Sequence, residues 1–66
     1  MIPRDLILCA HATAVDRLRQ GGALYSPVPT SREVLAVLRQ DRPETTRAEV
    51  LDACAALVPP LPLADL

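Results

Sequence analysis

The sequence predicts an all-α fold: a small domain of three helices with an extended Pro-containing connector and a Pro-rich C-terminal arm. Half of the 66 residues are apolar, yet the chain has one Tyr and no Phe or Trp. The apolar residues are mainly Ala, Leu and Val, and they recur at helical spacing in three stretches. Gly or Pro pairs and two capping boxes mark where these stretches begin and end.

The first helix is predicted from about Arg4 to Arg19, directly after Pro3. Proline suits a helix start because its missing N–H would have no partner there. The pair Gly21-Gly22 should end the helix, one glycine acting as a left-handed cap. At about 100° per residue, one stripe of this helix contains Ile7, His11, Ala14 and Leu18.

The connector, residues 23–29, contains two prolines and is predicted to be extended, with a short edge strand as the alternative. Its apolar residues Leu24, Tyr25 and Val28 are expected to pack across the helices. A lone aromatic residue in a connector most often fills a small core. The alternative for Tyr25 is an interface anchor, a role in which Tyr is enriched.

The second helix is predicted over about Ser31–Gln40, after a capping box of Thr30 with Glu33. The residue before Pro43 disfavours helix, so this helix should end by about Asp41. Its buried face is expected to contain Val34, Leu35, Val37 and Leu38.

The third helix has two possible starts, the box of Thr46 with Glu49 and the box of Asp41 with Glu44. We prefer Thr46 because the earlier start would leave almost no turn after the second helix. The helix should then run to about Val58, where Pro59-Pro60 end it. Its buried face is predicted to contain Val50, Leu51, Cys54, Leu57 and Val58.

The chain is accordingly divided into a helical domain, residues 1–58, and an arm, residues 59–66, with the sequence PPLPLADL. Prolines at 59, 60 and 62 favour an extended path. Three leucines are unfavourable for a free tail in water. They should pack back on the helices of this chain or dock elsewhere.

Size and charge limit the possible partners. A domain this small buries only about 60% of the surface that its unfolded chain exposes, and it lacks aromatic side chains that would enlarge a core. We therefore expect the chain to bury its remaining apolar surface by self-association or by docking on another protein. A net charge of −1 and a pI near 5.6 argue against general affinity for nucleic acid or anionic membranes. With no apolar run of membrane-spanning length, a cytoplasmic location is expected.

Catalysis, metals and cofactors are not predicted. The soft metal ligands Cys9, His11 and Cys54 have no metal-site spacing, and no Gly-rich phosphate loop occurs. Cys54 is expected to be a small core residue. His11 is expected to be partly buried and satisfied by a backbone carbonyl or an interface contact. The chain is therefore predicted not to be an enzyme.

The leading hypothesis is a non-enzymatic interaction protein, a subunit, adaptor or inhibitor that binds through apolar helix faces and the arm. The partner would be another protein or a second copy, so a homo-oligomer is expected. The proposed interface residues are apolar side chains beyond what a small monomer should hide: Leu6, Leu8, Leu24, Tyr25, Leu61, Leu63 and Leu66.

Two alternatives remain open. The second and third helices have lengths suited to a helix-turn-helix regulator of phage, plasmid or toxin–antitoxin type, acting as a dimer. Its DNA contacts would come from Arg32, Arg42, Thr46 and Arg47, although nearby Glu49 and Asp52 would repel phosphates. The other alternative is a structural component of a larger assembly such as a phage particle. The capping boxes and apolar patterning are generic to small helical proteins and indicate no family.

Overall fold

The structure, a computed structural model, describes residues 1–23, 25 and 27–66. Over these ranges the chain forms three helices and no strand: α1 (Arg4–Gln20), α2 (Ser31–Leu38) and α3 (Arg47–Ala55). The prediction of a small all-α, three-helix fold is confirmed. Leu24, one of the predicted interface residues, lies outside the described residues.

Local signals set both ends of α1. Pro3 is the N-cap, and its carbonyl accepts hydrogen bonds from two amides of the first turn. At the other end, the Gly22 N–H donates to the Arg19 carbonyl at 3.0 Å and the Ala23 N–H donates to the Leu18 carbonyl at 3.3 Å. This pair of bonds is a Schellman motif, with Gly22 at a φ of 109°. The predicted glycine cap is therefore confirmed.

Both predicted capping boxes are formed. The Glu33 N–H donates to Thr30 Oγ1 at 3.2 Å, and the Thr30 N–H donates to Glu33 Oε1 at 2.9 Å. In the second box the corresponding distances between Glu49 and Thr46 are 3.3 Å and 3.1 Å. The Thr46 N–H and hydroxyl both donate to the Glu49 carboxylate, and these bonds lower its pKa. The preferred start of the third helix is confirmed.

Both α2 and α3 end earlier than predicted. After Leu38 the amides of Gln40 and Asp41 bond to carbonyls three residues back, which tightens the chain into a turn. After Ala55 the chain turns sharply through a cis peptide bond before Pro59.

The early end of α3 makes one burial prediction wrong. Val58 was expected on the buried face of the third helix, but its side chain is 96% exposed. That expectation assumed continued helical geometry. The Leu61 N–H instead donates a hydrogen bond to the Cys54 carbonyl oxygen at 3.1 Å, and Val58 lies in the turn between Cys54 and Leu61.

The core lies between the three helices and includes the arm. The predicted stripe of α1 faces it, with Ile7, His11 and Ala14 buried and Leu18 half-buried. Cys54 is buried as predicted, and burial raises the pKa of its thiol. The buried apolar cluster consists of Ile2, Ile7, Ala10, Ala14, Val34, Leu35, Leu38, Val50, Cys54 and Leu63.

The connector packs differently from the prediction. Tyr25 is 83% exposed, so it does not fill the core, and Val28 is also exposed. Among the described residues of the connector, Pro29, directly before the N-cap of α2, is fully buried. A compact proline ring fits beside the start of a helix without a polar group to satisfy, whereas the phenol hydroxyl of Tyr would need a partner.

Candidate interaction surfaces

The arm lies against the helices of its own chain. Within the arm, the Leu63 side chain is only 6% exposed and belongs to the core, while Leu61 is half-buried. The Ala64 N–H donates to the Pro29 carbonyl at 2.9 Å. His11 Nε2 lies 2.8 Å from the Pro62 carbonyl oxygen, which confirms a buried histidine satisfied by a backbone carbonyl.

A polar cluster fixes the end of the arm, and we call Ser31, Arg47 and Asp65 the Asp65 clasp. The Ser31 N–H donates to Asp65 Oδ1 at 2.9 Å and its hydroxyl donates to Oδ2 at 2.5 Å. Arg47 donates from Nη2 to Asp65 Oδ2 at 3.2 Å and from Nε to Ser31 Oγ at 2.9 Å. The carboxylate therefore joins the arm to the first residues of α2 and α3.

The clasp lowers the pKa of Asp65 below its ordinary range. The largest cause is the Ser31 hydroxyl, followed by the Ser31 N–H, with a further contribution from Arg47. All three donate to the charged form of the carboxyl and favour it. The position also suits a negative charge because it lies at the positive end of the α2 dipole.

The polar groups of the Asp65 clasp are bonded to one another. The Ser31 hydroxyl is buried, donates to Asp65 and accepts from Arg47. Among the described residues, no buried side-chain polar atom lacks a partner, and no group of three acidic, Cys or His residues could hold a metal ion.

One apolar groove between α1 and α3 remains open, and we call it the α1–α3 groove. It has a volume of about 530 Å³. The buried residues Ile2 and Ile7 lie at its base, and the half-buried Ala53 and Leu57 form its α3 side. Its apolar lining is completed by exposed residues, and the full apolar set is Met1, Ile2, Ile7, Ala53, Ala56 and Leu57.

Charged side chains lie along the edges of the groove. Arg4 is at the α1 side and Asp52 at the α3 side, and both are exposed. In the part of the chain that the structure describes, neither side chain has an ion-pair or hydrogen-bond partner. Glu49, also at the α3 side, is already bonded to Thr46 and lies 3.8 Å from the Met1 nitrogen. The groove therefore offers one unpaired charge of each sign.

The predicted interface residues are divided between the interior and the surface. Leu63 is buried in the core and Leu61 is half-buried, because the arm packs on its own chain. Leu8, Tyr25 and Leu66 are exposed. Leu6 is half-buried and lines a separate, smaller cavity of about 260 Å³.

None of the predicted interface residues that the structure describes lines the α1–α3 groove. The sequence signal for this groove was the spacing of Ala53, Ala56 and Leu57, which places them on one side of a helix. Alanine side chains are too small to be predicted as contact residues from the sequence. Their small size is what leaves the space open.

The residues of the DNA-binding alternative do not form a free basic surface together. Thr46 caps α3, and Arg47 is bonded within the Asp65 clasp. Arg42 is half-buried and lines an acidic cavity together with Asp41 and Glu44. Arg32, the fourth residue of the predicted set, is exposed. The segment between α2 and α3, residues 39–46, is longer than the usual three- to four-residue turn of this motif. DNA binding stays a prediction.

Comparison of the chain with protein-family models, with curated proteins and with solved structures found no match in any of the three. Within the described residues, no helix combines the length and the apolar character needed to cross a membrane. A functional proposal for this chain therefore depends on its own surface geometry.

Proposed function

We propose that this chain is a small protein–protein interaction protein whose α1–α3 groove receives an amphipathic helix of a partner protein. The observation that carries the proposal is an open apolar groove with Arg4 on one side and Asp52 on the other, both without a side-chain partner among the described residues. This arrangement suits the binding mode in which the apolar face of a helix enters an apolar groove.

The volume supports an occupant of this kind. At about 530 Å³ the groove lies within the 300–1,000 Å³ typical of binding pockets, and it accommodates a few apolar side chains. Binding gains roughly 25 cal/mol for each Å² of apolar surface removed from water, but association itself costs several kcal/mol. Additional contacts with Met1 and with the rim charges would therefore be needed for tight binding.

The charges define the partner further. A helix that places an acidic residue beside Arg4 and a basic residue beside Asp52 pairs both free charges of the groove. Complementary charges at a rim mainly increase specificity and association rate. The expected partner is thus an amphipathic helix with an apolar stripe, acidic along one edge and basic along the other.

The test uses designed helical peptides and a matched pair of variants. One peptide carries a Leu/Ala stripe with acidic and basic edges, and a second carries the same stripe with neutral edges. We expect the charged peptide to shift the NMR signals of Ala53, Ala56 and Leu57 at lower concentration than the neutral one. Ala56→Glu should weaken binding by about tenfold or more, because a charge in an apolar contact is costly to desolvate.

Ala55→Glu is the matched control, since Ala55 is exposed and adjacent but does not line the groove. It should leave peptide affinity within about twofold of the native chain. Equal effects of the two variants, or peptide-induced shifts confined to another surface, would refute the proposed function.

A further inference from the structure

We infer that the arm, residues 59–66, is an exchangeable element, and that the site it occupies also accepts the arm of a second copy of this chain. In the resulting dimer each arm makes on its partner the contacts that it makes here on its own helices. The inference goes beyond the proposed function and does not depend on the occupant of the α1–α3 groove.

The arm site is formed entirely by residues that precede the hinge between α3 and the arm. The Pro62 carbonyl bonds to His11 on α1, and the Ala64 N–H bonds to Pro29 before α2. The Leu61 N–H bonds to the Cys54 carbonyl on α3. Each of these groups is present on every copy, so a second copy offers the same set of donors and acceptors.

The Asp65 clasp gives this site chemical selectivity. The site requires a carboxylate at one end, where the Ser31 N–H, the Ser31 hydroxyl and Arg47 converge on Asp65. It also requires an apolar side chain two residues earlier, where Leu63 enters the core. The arm sequence itself meets both requirements.

The hinge is the part of the molecule that would change. Residues 56, 58, 59 and 60 are exposed, and the Val58 side chain is 96% accessible to water. The exposed Val58 side chain is available for an apolar contact with a second copy. Exchange of an identical element also gives a closed, symmetric dimer.

Concentration should govern the exchange. A short linker holds the arm near its own site at an effective concentration on the order of millimolar. The arm of a second copy competes only as the protein approaches that range. We therefore expect the dimer fraction to rise with protein concentration.

The experiment compares the full chain with two hinge variants. Donor and acceptor dyes are attached to the exposed Cys9 in separate batches, which are mixed from about 10 μM to about 1 mM, a range reaching the effective concentration of a short linker. Energy transfer and the mass from light scattering report dimer formation. One variant lacks the exposed residues Val58 and Pro59, and the other carries a flexible Gly/Ser insertion between Val58 and Pro59.

The native chain should form dimers as its concentration rises. The shortened hinge should be dimeric at the lowest concentration, because its arm no longer reaches its own site. The lengthened hinge lowers the effective concentration of the arm at its own site, so its dimers should appear at a lower protein concentration than those of the native chain. A native chain that stays monomeric up to about 1 mM overturns the inference, since exchange would then be undetectable at the effective concentration.

Two other outcomes would also overturn it. A shortened variant that is a folded monomer by circular dichroism would show that the arm does not need a second copy. A dimer that forms at the same protein concentration in the lengthened variant as in the native chain would place the contact elsewhere. If the shortened variant fails to fold, the native and lengthened chains still decide the question. Peptide binding in the α1–α3 groove is measured separately, so failure of one proposal is distinguishable from failure of the other.

Discussion

Asp65 is the residue that most clearly links local chemistry to the architecture of this chain. Its carboxylate accepts hydrogen bonds from the Ser31 N–H and hydroxyl and from Arg47, so it joins the arm to two helices. Thr30 already uses its own side chain to cap α2 by bonding the Glu33 N–H. Asp65 satisfies a different amide of the same helix start, which otherwise would have no intrahelical partner.

The first prediction concerns the pH dependence of stability. The pKa of Asp65 is lower in the folded state than its ordinary value, so its stabilising contribution is fully present above about pH 3.9 and is lost as the pH falls below that value. Asp65→Asn should lower the melting temperature at pH 7. The melting curves of the variant and the native chain should converge toward pH 2, as measured by circular dichroism.

Asp41→Asn serves as the control, because Asp41 is exposed and its side chain has no hydrogen-bond partner among the described residues. Its melting temperature should follow that of the native chain at every pH. If Asp65→Asn also followed the native chain throughout, the Asp65 clasp would contribute nothing to stability.

At the scale of the helices, capping motifs determine where the helices begin and end more than intrinsic helix propensity does. The capping boxes begin α2 and α3, and the Schellman motif at Gly22 ends α1. Isolated helices as short as α2, with 8 residues, are marginal in water. Capping satisfies their free amides, and packing of one face against the core supplies most of their remaining stability.

The second prediction tests the end of α1. Gly22→Ala should destabilise the fold by about 1–2 kcal/mol, because Gly22 has a φ of 109°, where a Cβ atom is strained. Apart from the two residues adjacent in the chain, no described atom lies within 4 Å of that Cβ, so the cost comes from backbone conformation. Urea unfolding followed by circular dichroism measures the difference in the free energy of unfolding.

The neighbouring glycine provides the control. Gly21 has a φ of −79°, which any residue adopts, so Gly21→Ala should be neutral or slightly stabilising. Similar losses in both variants would indicate that contacts, and not the left-handed backbone of Gly22, determine the effect.

At the scale of the whole molecule, the arm completes the core. The buried apolar cluster contains no aromatic side chain from the described residues, so each Leu and Ile carries a large share of the burial. Leu63 adds one of these side chains from outside the helices. The apolar surplus of the chain is therefore partly used within the monomer, and the α1–α3 groove is a part left uncovered.

The third prediction measures this contribution of the arm. Leu63→Ala should cost about 2–5 kcal/mol through lost burial and a residual cavity. A domain of 66 residues has a total stability of roughly 3–10 kcal/mol, so the variant should be substantially unfolded or have a much lower urea midpoint. Leu66→Ala is the control in the same arm, since Leu66 is 79% exposed and should change stability by less than about 0.5 kcal/mol.

A small effect of Leu63→Ala, equal to that of Leu66→Ala, would mean that the arm rests on the surface without completing the core. That result would also remove the energetic basis for a specific arm site.

The helical class is predictable from local sequence patterns, as are the capping boxes at Thr30 and Thr46 and the glycine stop after α1. These features depend on groups three to five positions apart, whose interactions follow from backbone geometry and are readable from spacing. The buried stripe of α1 was predictable for the same reason.

Which apolar residues are covered, and where the arm lies, depends on the packing of the whole chain. The decisive contacts join residues far apart in sequence: His11 with Pro62, separated by 51 positions, and Ser31 with Asp65, separated by 34. Local spacing does not encode such pairs. The burial of Pro29 and Leu63, the exposure of Tyr25 and Val58, and the open α1–α3 groove follow from how the helices and the arm fill one shared volume.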